Sequence, residues 1–249
     1  MLLLNRFTTL LKRKANAKKF GINFTRTAEF QQIESIVVNG KTIQLEAPKS
    51  YDTWLIQFEI FIDDCYKLQK FANKQVSTIL DIGANLGLFS VAARAFFEQA
   101  KIHAYEPNPN LSTYLSHQAD VGKFQYFSEA IGTQNGYCSL IFNEAPGLTQ
   151  SRLNDEAGKI TQTSLKTAIE RLGGSVDIAK VDIEGAEWEL FEKQDMWQPI
   201  KSLLMEYHLC EKVSTVESAI AQVKRLGFSL ITEETIYANS TGIILAHRR

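Results

Sequence analysis

The stretch that decides the fold is TILDIGANLG, which runs from Thr78 to Gly87. Its apolar residues lead into Asp81, after which Gly83 and Gly87 bracket a tight turn before an amphipathic helix. Glycine lets a backbone approach a ligand closely, and the N-terminus of a helix offers the positive end of a dipole. The stretch therefore predicts a strand, a ligand-binding turn and a helix in succession.

A dinucleotide site is the obvious alternative for such a turn. Its fingerprint, G-x-G-x-x-G, would need glycine at positions 85 and 88, where the sequence has Asn85 and Leu88. The pyrophosphate cradle is therefore missing. An Asp at the end of the strand also suits a ligand with a cationic amino group better than a pyrophosphate. A nicotinamide-dependent oxidoreductase stays as an alternative function.

From residue 78 onward, short apolar segments alternate with amphipathic ones. This alternation is typical of βαβ units and predicts an α/β protein with a mostly parallel, doubly wound sheet. Strands are expected near residues 78–82, 101–106, 123–128, 177–183, 201–208, 227–232 and 241–246. Helices are expected near residues 87–99, 110–120, 163–172, 186–194 and 213–226.

Glu106 ends the second predicted strand and lies 19 residues after Gly87. An acid about 20 residues beyond a glycine-rich turn is placed to accept hydrogen bonds from ribose hydroxyls. The two oxygens of its carboxylate match a vicinal diol. The turn, Asp81 and Glu106 together predict a ligand that contains a nucleoside.

The first 20 residues contain six basic residues and no acidic one. Leu3, Leu4, Phe7, Leu10 and Leu11 follow helical spacing, which predicts an amphipathic basic helix. In one interpretation this helix packs on the domain with its basic side in water. In the other it makes peripheral contact with an anionic membrane surface. Both interpretations stay open.

The next segments predict a cap that precedes the main fold. Residues 33–46 contain Asn39-Gly40 between apolar residues, a strong hairpin signal because both turn residues take a positive φ. Residues 52–72 predict one continuous helix. Its apolar side consists of Trp54, Leu55, Phe58, Phe61, Ile62 and Tyr66. The predicted division is therefore residues 1–72 for the basic helix, hairpin and cap helix, and residues 73–249 for the main domain.

Composition excludes several classes of protein. The chain has 249 residues, and 27 Lys and Arg residues nearly balance 28 Asp and Glu residues, so no nucleic-acid partner is expected. Cys65, Cys138 and Cys210 are odd in number and far apart, which favours a reduced, cytoplasmic chain. No apolar run reaches the roughly 18 residues that a membrane-spanning helix requires.

Four blocks of sequence resemble the FkbM family of S-adenosylmethionine-dependent methyltransferases. In chain order they are DIGANLG from Asp81, YEPNP from Tyr105, KVDIEGAE from Lys180 and EYH from Glu206. The resemblance implies the class I methyltransferase fold, a Rossmann-like sheet of seven strands whose last hairpin supplies the one antiparallel strand. It also implies methyl transfer, in many members to oxygen, on sugars, glycolipids or antibiotic-like acceptors. This chain has Lys166 at a position where family members often have an acidic residue. The role of that acid in the family therefore cannot be assigned to this chain.

The resemblance also implies a set of residues that bind S-adenosyl-L-methionine. The turn after the first strand would shape the methionine end of the site, Glu106 would hold the ribose, and the tip of the third strand would border the adenine. The cofactor-binding set is Asp81, Gly83, Ala84, Asn85, Gly87, Glu106, Pro107, Glu129 and Ala130. Within it, main chain rather than the Glu129 side chain could meet the adenine edge.

Two pairs of polar residues mark the candidate catalytic site. Asp182 and Glu184 are two apart at the end of a strand, so both project to one side if the chain stays extended. Glu206 and His208 repeat this spacing on the next strand. Open α/β sheets bind ligands at the carboxyl ends of their strands. The hypothesis is that these four residues position an acceptor hydroxyl and take its proton, with His208 the best single base near neutral pH.

Other interpretations of the same residues stay open. Asp182 or Glu184 could cap the following helix, and His208 could be a buried strand residue bonded to backbone. The four side chains could also bind a divalent metal. Nothing in their spacing demands one, so the sequence predicts no metal.

The predicted function is methyl transfer, most simply O-methylation of a small-molecule, sugar or glycolipid acceptor. A cofactor-binding protein without catalysis is a further alternative. The long polar stretch from Asn143 to Ile160 is expected to be a loop that lies over the acceptor, since long loops in compact domains often bind or cover ligands.

Overall fold

The computed structural model describes residues 2–24, 31–142, 149–152, 158–237 and 240–248. The N-terminal part forms a cap of short elements before the main sheet. These elements are helix α1 (Leu2–Lys19), strands β1 (Ser35–Val38) and β2 (Lys41–Gln44), helix α2 (Tyr51–Gln57), a π-helical turn (Phe58–Ile62) and a 3-10 turn (Leu68–Phe71).

The main fold is a seven-stranded sheet with helices on both faces. Its strands are β3 (Thr78–Ile82), β4 (Lys101–Tyr105), β5 (Gln125–Phe127), β10 (Val176–Val181), β11 (Ile200–His208), β12 (Leu230–Tyr237) and β13 (Thr241–His247). Its helices are α3 (Leu88–Phe96), α4 (Ser112–Gly122), α5 (Leu165–Leu172), α6 (Glu187–Leu190) and α7 (Val216–Arg225). Four further strands form a separate small sheet.

The strand order of the main sheet is β12-β13-β11-β10-β3-β4-β5. Among the described strands of this sheet, β13 alone runs antiparallel to its neighbours β11 and β12. The other pairs are parallel. The order and the single antiparallel strand confirm the predicted class I methyltransferase fold.

Burial on both faces of the sheet explains why the sequences of its strands are continuous apolar runs. Ile79 and Leu80 are adjacent in β3, and because side chains alternate along a strand they enter opposite cores. The core on the Ile79 side also contains Phe20, Ile36 and Phe61 of the cap. The cap therefore packs directly on the sheet, and the division at residue 72 stays a prediction.

The predicted hairpin is confirmed. Strands β1 and β2 pair antiparallel around Asn39 and Gly40. These two residues have φ values of 50° and 77°, the positive pair that an Asn-Gly turn requires.

The prediction of one continuous helix over residues 52–72 is wrong. Helix α2 passes into the π-helical turn, and regular structure then stops until Leu68. The cause is Asp64, which has a φ of 48° and whose carboxylate accepts hydrogen bonds from the amides of Leu68 and Gln69. An Asp side chain that bonds nearby amides competes with the helix. The break places Tyr66 outside any helix.

Residues 130–164 contain a small sheet that the sequence did not predict. It consists of β6 (Ala130–Gly132), β7 (Gly136–Phe142), β8 (Thr149–Arg152) and β9 (Ile160–Ser164), in the order β6-β9-β7-β8. The loop prediction for residues 143–160 is therefore wrong at β8, which pairs with β7. Residues 143–148 and 153–157 lie outside the described residues, and a role over the acceptor stays a prediction.

Two predicted helices are shorter than expected. The helix expected from residue 163 begins at Leu165, because the side chain of Ser164 caps it by accepting from the amide of Thr167. The helix expected over 186–194 ends as α6 at Leu190, and a 3-10 turn follows at Gln194–Trp197.

Helix α1 packs on the domain through its C-terminal half. Ala17 and Phe20 are buried, and Arg13 forms a two-bonded ion pair with Asp63 at 2.6 and 2.9 Å. This observation supports the packing interpretation for that half of the helix. Within the described residues, no helix is long and apolar enough to cross a bilayer.

Candidate active site

The candidate site lies at one edge of the main sheet, where β3, β4, β10 and β11 end. The turn from Gly83 to Gly87 follows β3, and Glu106 follows β4. Asp182 follows β10, while Glu206 and His208 lie near the end of β11. Parallel strands bring their carboxyl ends to one edge, so these residues meet although they are far apart in sequence.

The turn after β3 is fixed to the end of β4. The amides of Gly83 and Ala84 both donate to the carbonyl of Tyr105 at 3.0 Å. The amide of Asn85, which has a φ of 50°, donates to Glu106 Oε2 at 2.9 Å. Among residues 83–87, Asn85 is the exposed residue and the others are buried. The turn is therefore preformed, with Asn85 at its accessible tip.

Glu106 is nearly buried, and both of its carboxylate oxygens accept backbone hydrogen bonds. Its Oε1 accepts from the amide of Asn108 at 2.9 Å. Burial raises the pKa of Glu106, while the bonds from Asn108 and Asn85 oppose the rise. Pro107 lies half-buried in the same turn. Each carboxylate oxygen keeps a second lone pair, so the group can still accept from a diol.

The two glycines of the turn are needed for contacts within the protein. A Cβ on Gly83 would lie 1.7 Å from the carbonyl oxygen of Asp182, and one on Gly87 would lie 2.4 Å from Leu115 Cδ1. Both glycines also have positive φ values of 73° and 75°. The approach of other parts of the chain is therefore one reason for these glycines, and their predicted approach to a ligand stays a prediction.

Asp81 lies beneath the turn rather than in it. The residue is fully buried and its Oδ2 accepts from Ser90 Oγ at 2.7 Å. The cation that faces it is Lys180, whose Nζ lies 3.7 Å from Oδ1. Burial raises the pKa of Asp81, and Lys180 and Ser90 oppose that rise. Asp81 therefore shapes the turn from below, and Lys180 is the cation that faces it in this structure. Its predicted pairing with the amino group of a ligand stays a prediction.

Lys180 joins the turn to the acidic residues, a role that the sequence did not predict. Its ammonium is buried, donates to the carbonyl of Gly83 at 2.6 Å and lies 3.3 Å from Asp182 Oδ2. Burial alone would lower the pKa of Lys180, but Asp182 and the other acids outweigh burial and raise it. Lys180 therefore stays charged and ties the two halves of the site together.

At the tip of β5, the Glu129 side chain is already engaged. Its Oε2 accepts from Arg171 Nη1 at 2.7 Å and from the Thr163 hydroxyl. Ala130, the first residue of β6, is buried. The Glu129 carboxylate thus binds α5 and β9, so an adenine ligand at this tip is expected to meet main chain.

The four candidate catalytic residues do come together. His208 Nε2 lies 3.4 Å from Glu184 Oε2 and 3.9 Å from Glu206 Oε1. Tyr66 joins them from the cap, with its hydroxyl 3.2 Å from Asp182 Oδ2 and 3.5 Å from Glu206 Oε2. These five side chains are called the acid cluster below.

The prediction that an extended chain projects Asp182 and Glu184 to the same side is wrong. Strand β10 ends at Val181, so the chain is not extended over these residues. Glu184 instead has a φ of 53° and is followed by Gly185 at 98°. This left-handed turn directs the Glu184 carboxylate to His208.

The structure also decides between the open interpretations. The N-cap of α6 is Ala186, which makes no side-chain cap hydrogen bond, so neither Asp182 nor Glu184 is the cap. His208 Nδ1 lies 2.8 Å from Oε1 of the fully buried Glu187, so its ring is bonded to a carboxylate rather than to backbone.

The pKa values change which group can act as a base. Burial alone would lower the pKa of His208, but Glu187 and the nearby acids raise it to about 9. Burial raises the pKa of Glu184 to about 7 and that of Glu206 to about 8. His208 is therefore protonated at neutral pH, against the prediction that it is the base. The carboxyl groups of Glu184 and Glu206 are the ones that titrate near neutrality.

Sequence reasoning assigned no role to Tyr66, Lys180 and Glu187. Lys180 and Glu187 are the first and last residues of the KVDIEGAE block. The charge of Lys180 within an apolar strand was a usable signal. Tyr66 offered none, because it was counted with the apolar side of a helix that does not form.

Ligand atoms of Asp182, Glu184 and His208 lie within 4.8 Å of one another. This spacing would allow a shared divalent cation, although exposed acidic groups commonly cluster without one. That the site functions without a metal stays a prediction.

The comparisons with known proteins agree with the fold. The family model of the methyltransferase FkbM domain matches residues 81–230. This range is more than half of the chain and contains the whole edge of the sheet described above. The chain belongs to the FkbM methyltransferase family.

Several named relatives are methyltransferases. Methyltransferase 1 of Beauveria bassiana is 26% identical over 74% of this chain and 84% of its own length. Methyltransferase sdnD of Sordaria araneosa is 25% identical over 68% and 80%. The 31-O-demethyl-FK506 methyltransferase FkbM of Streptomyces tacrolimicus is 22% identical over 71% and 82%.

A solved structure with a similar fold is the magnesium protoporphyrin IX methyltransferase of Synechocystis PCC 6803, which contains bound S-adenosylmethionine. It has a TM-score of 0.50 and 10% identity, over 82% of this chain and 87% of its own. At this identity the likeness concerns the fold alone.

Proposed function

We propose that this protein transfers a methyl group from S-adenosyl-L-methionine to a hydroxyl oxygen of a small-molecule, sugar or glycolipid acceptor. The observation that carries the proposal is the contact between the two halves of the site. The backbone of Gly83 lies against the carbonyl of Asp182, and Lys180 bridges the same two residues. The cofactor turn and the acid cluster therefore share one edge of the sheet.

The residues present fit this cofactor. Glu106 keeps acceptor capacity for the ribose hydroxyls, and the exposed Asn85 borders the same space. The acid cluster and Glu187 provide four carboxyl groups, while Lys180 and protonated His208 provide two cations. When its carboxyl groups are ionised, the cluster attracts a cationic ligand. When bound, the cofactor would supply an electrophilic methyl group on a positively charged sulfur.

The main task of the residues is alignment. Transfer to oxygen is an in-line displacement, and well-oriented reactants gain effective molarities of about 10⁵–10⁸ M. Asp182 is fixed by Lys180, and His208 is fixed by Glu187. The residues that would meet an acceptor hydroxyl are therefore held in place before it binds.

A hydroxyl acceptor must also lose its proton as the new bond forms. Glu184 and Glu206 have pKa values of about 7 and 8, and a base is most effective when its pKa lies near the working pH. Either carboxylate can take the proton, while His208 holds both nearby with its positive charge. A positioned base contributes roughly 10²–10⁴-fold. The name of the Streptomyces relative, which specifies a 31-O-demethyl substrate, supports oxygen as the acceptor atom.

Family membership removes the support for a nicotinamide-dependent oxidoreductase. A cofactor-binding protein without catalysis stays as the second candidate, because the acid cluster would also bind a cationic ligand without reacting. We further propose a cytoplasmic protein with no nucleic-acid partner. Peripheral membrane contact through α1 is part of the proposal, because Lys12, Lys14 and Lys18 are exposed and could meet anionic lipid.

The test is methyl transfer from labelled S-adenosylmethionine to a panel of hydroxylated small molecules, sugars and glycolipids. We expect at least one methylated product, and a rate roughly 10²–10⁴-fold lower for Glu206→Gln. Glu217→Gln, an exposed acid in the first turn of α7, is the matched control and should keep the rate. Cofactor binding without product from any member of the panel would favour the non-catalytic candidate.

A further inference from the structure

Tyr66 is the residue of the acid cluster that comes from outside the region matched by the family model. That region begins at residue 81, whereas Tyr66 belongs to the break in the cap. The residue is 5% exposed. Its hydroxyl lies within hydrogen-bond distance of two carboxyl groups, that of Asp182 just after β10 and that of Glu206 in β11. The cap thus contributes a polar group to the chemistry of the sheet edge.

We propose that Tyr66 is a positioning residue of the methyl-transfer site, and that its hydroxyl is a donor to Glu206, the carboxyl group that takes the proton of the acceptor. The inference rests on the proposed function, since it assigns the base of that reaction. Asp182 has a second donor in Lys180, so the Tyr66 hydroxyl can turn to Glu206 when Glu206 gives up its proton.

The structure fixes the tyrosine ring from several directions. Asp64 and Lys67 on either side have φ values of 48° and 55°, and the Asp64 carboxylate holds the next turn. The ring packs edge-on against Phe89 of α3 at 5.2 Å between centroids. The ammonium of Lys180 lies over its face at 5.6 Å. The hydroxyl therefore has a fixed place and does not depend on a bound acceptor.

A count of donors shows why Glu206 depends on this hydroxyl more than Asp182 does. A phenol has one proton to donate, and two carboxyl groups compete for it at 3.2 and 3.5 Å. Burial and the neighbouring acids keep the pKa of Tyr66 well above its usual value, so Tyr66 is a donor and not a base. The hydroxyl lies nearer to Asp182 than to Glu206, and Asp182 Oδ2 also lies 3.3 Å from Lys180 Nζ. The cation nearest to Glu206 is His208 at 3.9 Å, and His208 is shared with other acids.

Charged and titratable groups surround this pair on each element packed against it. From the sheet edge they are Asp81, Lys180, Glu184 and His208, and from the cap they are Glu59 and Cys65. None of them is altered by Tyr66→Phe. Because Phe keeps the ring and its contacts with Phe89 and Lys180, that substitution removes only the hydroxyl.

The experiment measures the titration of Glu206 directly. Glutamate is labelled isotopically at its side-chain carboxyl carbon, and Glu206→Gln assigns the NMR signal. Loss of a donor disfavours the carboxylate form. Tyr66→Phe is therefore expected to raise the titration midpoint of Glu206 by about half to one pH unit. With an acceptor from the panel above, the acidic limb of the kcat/KM profile should move in the same direction.

Tyr207→Phe is the matched control. Tyr207 is also buried, and its hydroxyl donates to Glu233 at 2.8 Å, on the opposite side of β11 from Glu206. An equal shift in Tyr207→Phe, or none in Tyr66→Phe, would overturn the proposal. Because the readout needs no turnover, a Glu206 shift without any methyl transfer would contradict only the proposed function.

A second measurement leaves Tyr66 intact in case Tyr66→Phe does not fold. Tyrosine is labelled at its hydroxyl-bearing carbon, and one buried signal should follow the Glu206 midpoint. Glu206→Gln should abolish that response. If no tyrosine signal follows Glu206, the hydroxyl does not take part in its titration.

Discussion

Gly83→Ala tests the contact that joins the cofactor turn to the acid cluster. The substitution has two costs, which the structure separates. A φ of 73° costs an alanine about 1–2 kcal/mol. The new Cβ would also lie 1.7 Å from the Asp182 carbonyl oxygen, and overpacking of this kind costs roughly 1–3 kcal/mol more. The free energy of unfolding should therefore fall by about 2–5 kcal/mol.

Gly40→Ala isolates the first of these costs. Gly40 has a φ of 77°, and a Cβ there would meet nothing within 4 Å. Urea unfolding should thus show a loss of only about 1–2 kcal/mol for Gly40→Ala. Equal losses in the two variants would refute the reasoning, because the close approach of Gly83 to Asp182 would then carry no energy.

Three further predictions concern the acid cluster. Burial raises the pKa of Glu206 to about 8 from an ordinary 4.5, so its contribution to stability is complete below pH 4.5 and is lost as pH rises through 8. Urea unfolding across this range should give a flatter profile for Glu206→Gln, and an unchanged slope would contradict the raised pKa. His208→Ala should slow methyl transfer about 10- to 100-fold, the value of a charged hydrogen bond, and full turnover would exclude any role for the ring. Prolonged dialysis against EDTA should leave the rate unchanged, whereas loss of activity restored by a divalent cation would show that the site uses a metal.

The strands of the sheet could be predicted because burial on both faces dominates their sequence. Buried parallel strands need apolar residues on both faces. Ile79, Leu80 and Ile82 therefore indicate β3 even when the neighbouring strands are unknown. The Asn39-Gly40 hairpin is equally local, since its two backbone angles follow from two residue types. An element whose structure depends only on adjacent residues could therefore be predicted from the sequence.

The failures arise where a distant or competing contact decides the structure. The break after Ile62 depends on one Asp64 carboxylate that bonds the backbone ahead of it, which outweighs the apolar pattern. Strands β6 and β8 have three and four residues and are too short for a periodic signal. The role of Gly83 requires knowledge that Asp182, about a hundred residues away, passes over it.

The candidate site was predicted in part for the same reason. Glu106, Asp182, Glu206 and His208 were found because they end predicted strands. Their electrostatics could not be found, since the raised pKa of His208 requires Glu187 at 2.8 Å, a contact that only the fold creates. Tyr66 reaches the site through an irregular part of the cap.

The most direct test of the account is isothermal titration of the purified protein with S-adenosylhomocysteine, with NAD as the competing ligand. We expect binding of S-adenosylhomocysteine that weakens about 10- to 100-fold in Glu106→Ala, the value of hydrogen bonds to a charged group. Glu98→Ala, an exposed acid, should bind like the wild type. Absence of S-adenosylhomocysteine binding, or binding of NAD in its place, would contradict the assignment of the turn at Gly83 and of the methyl-transfer site built on it.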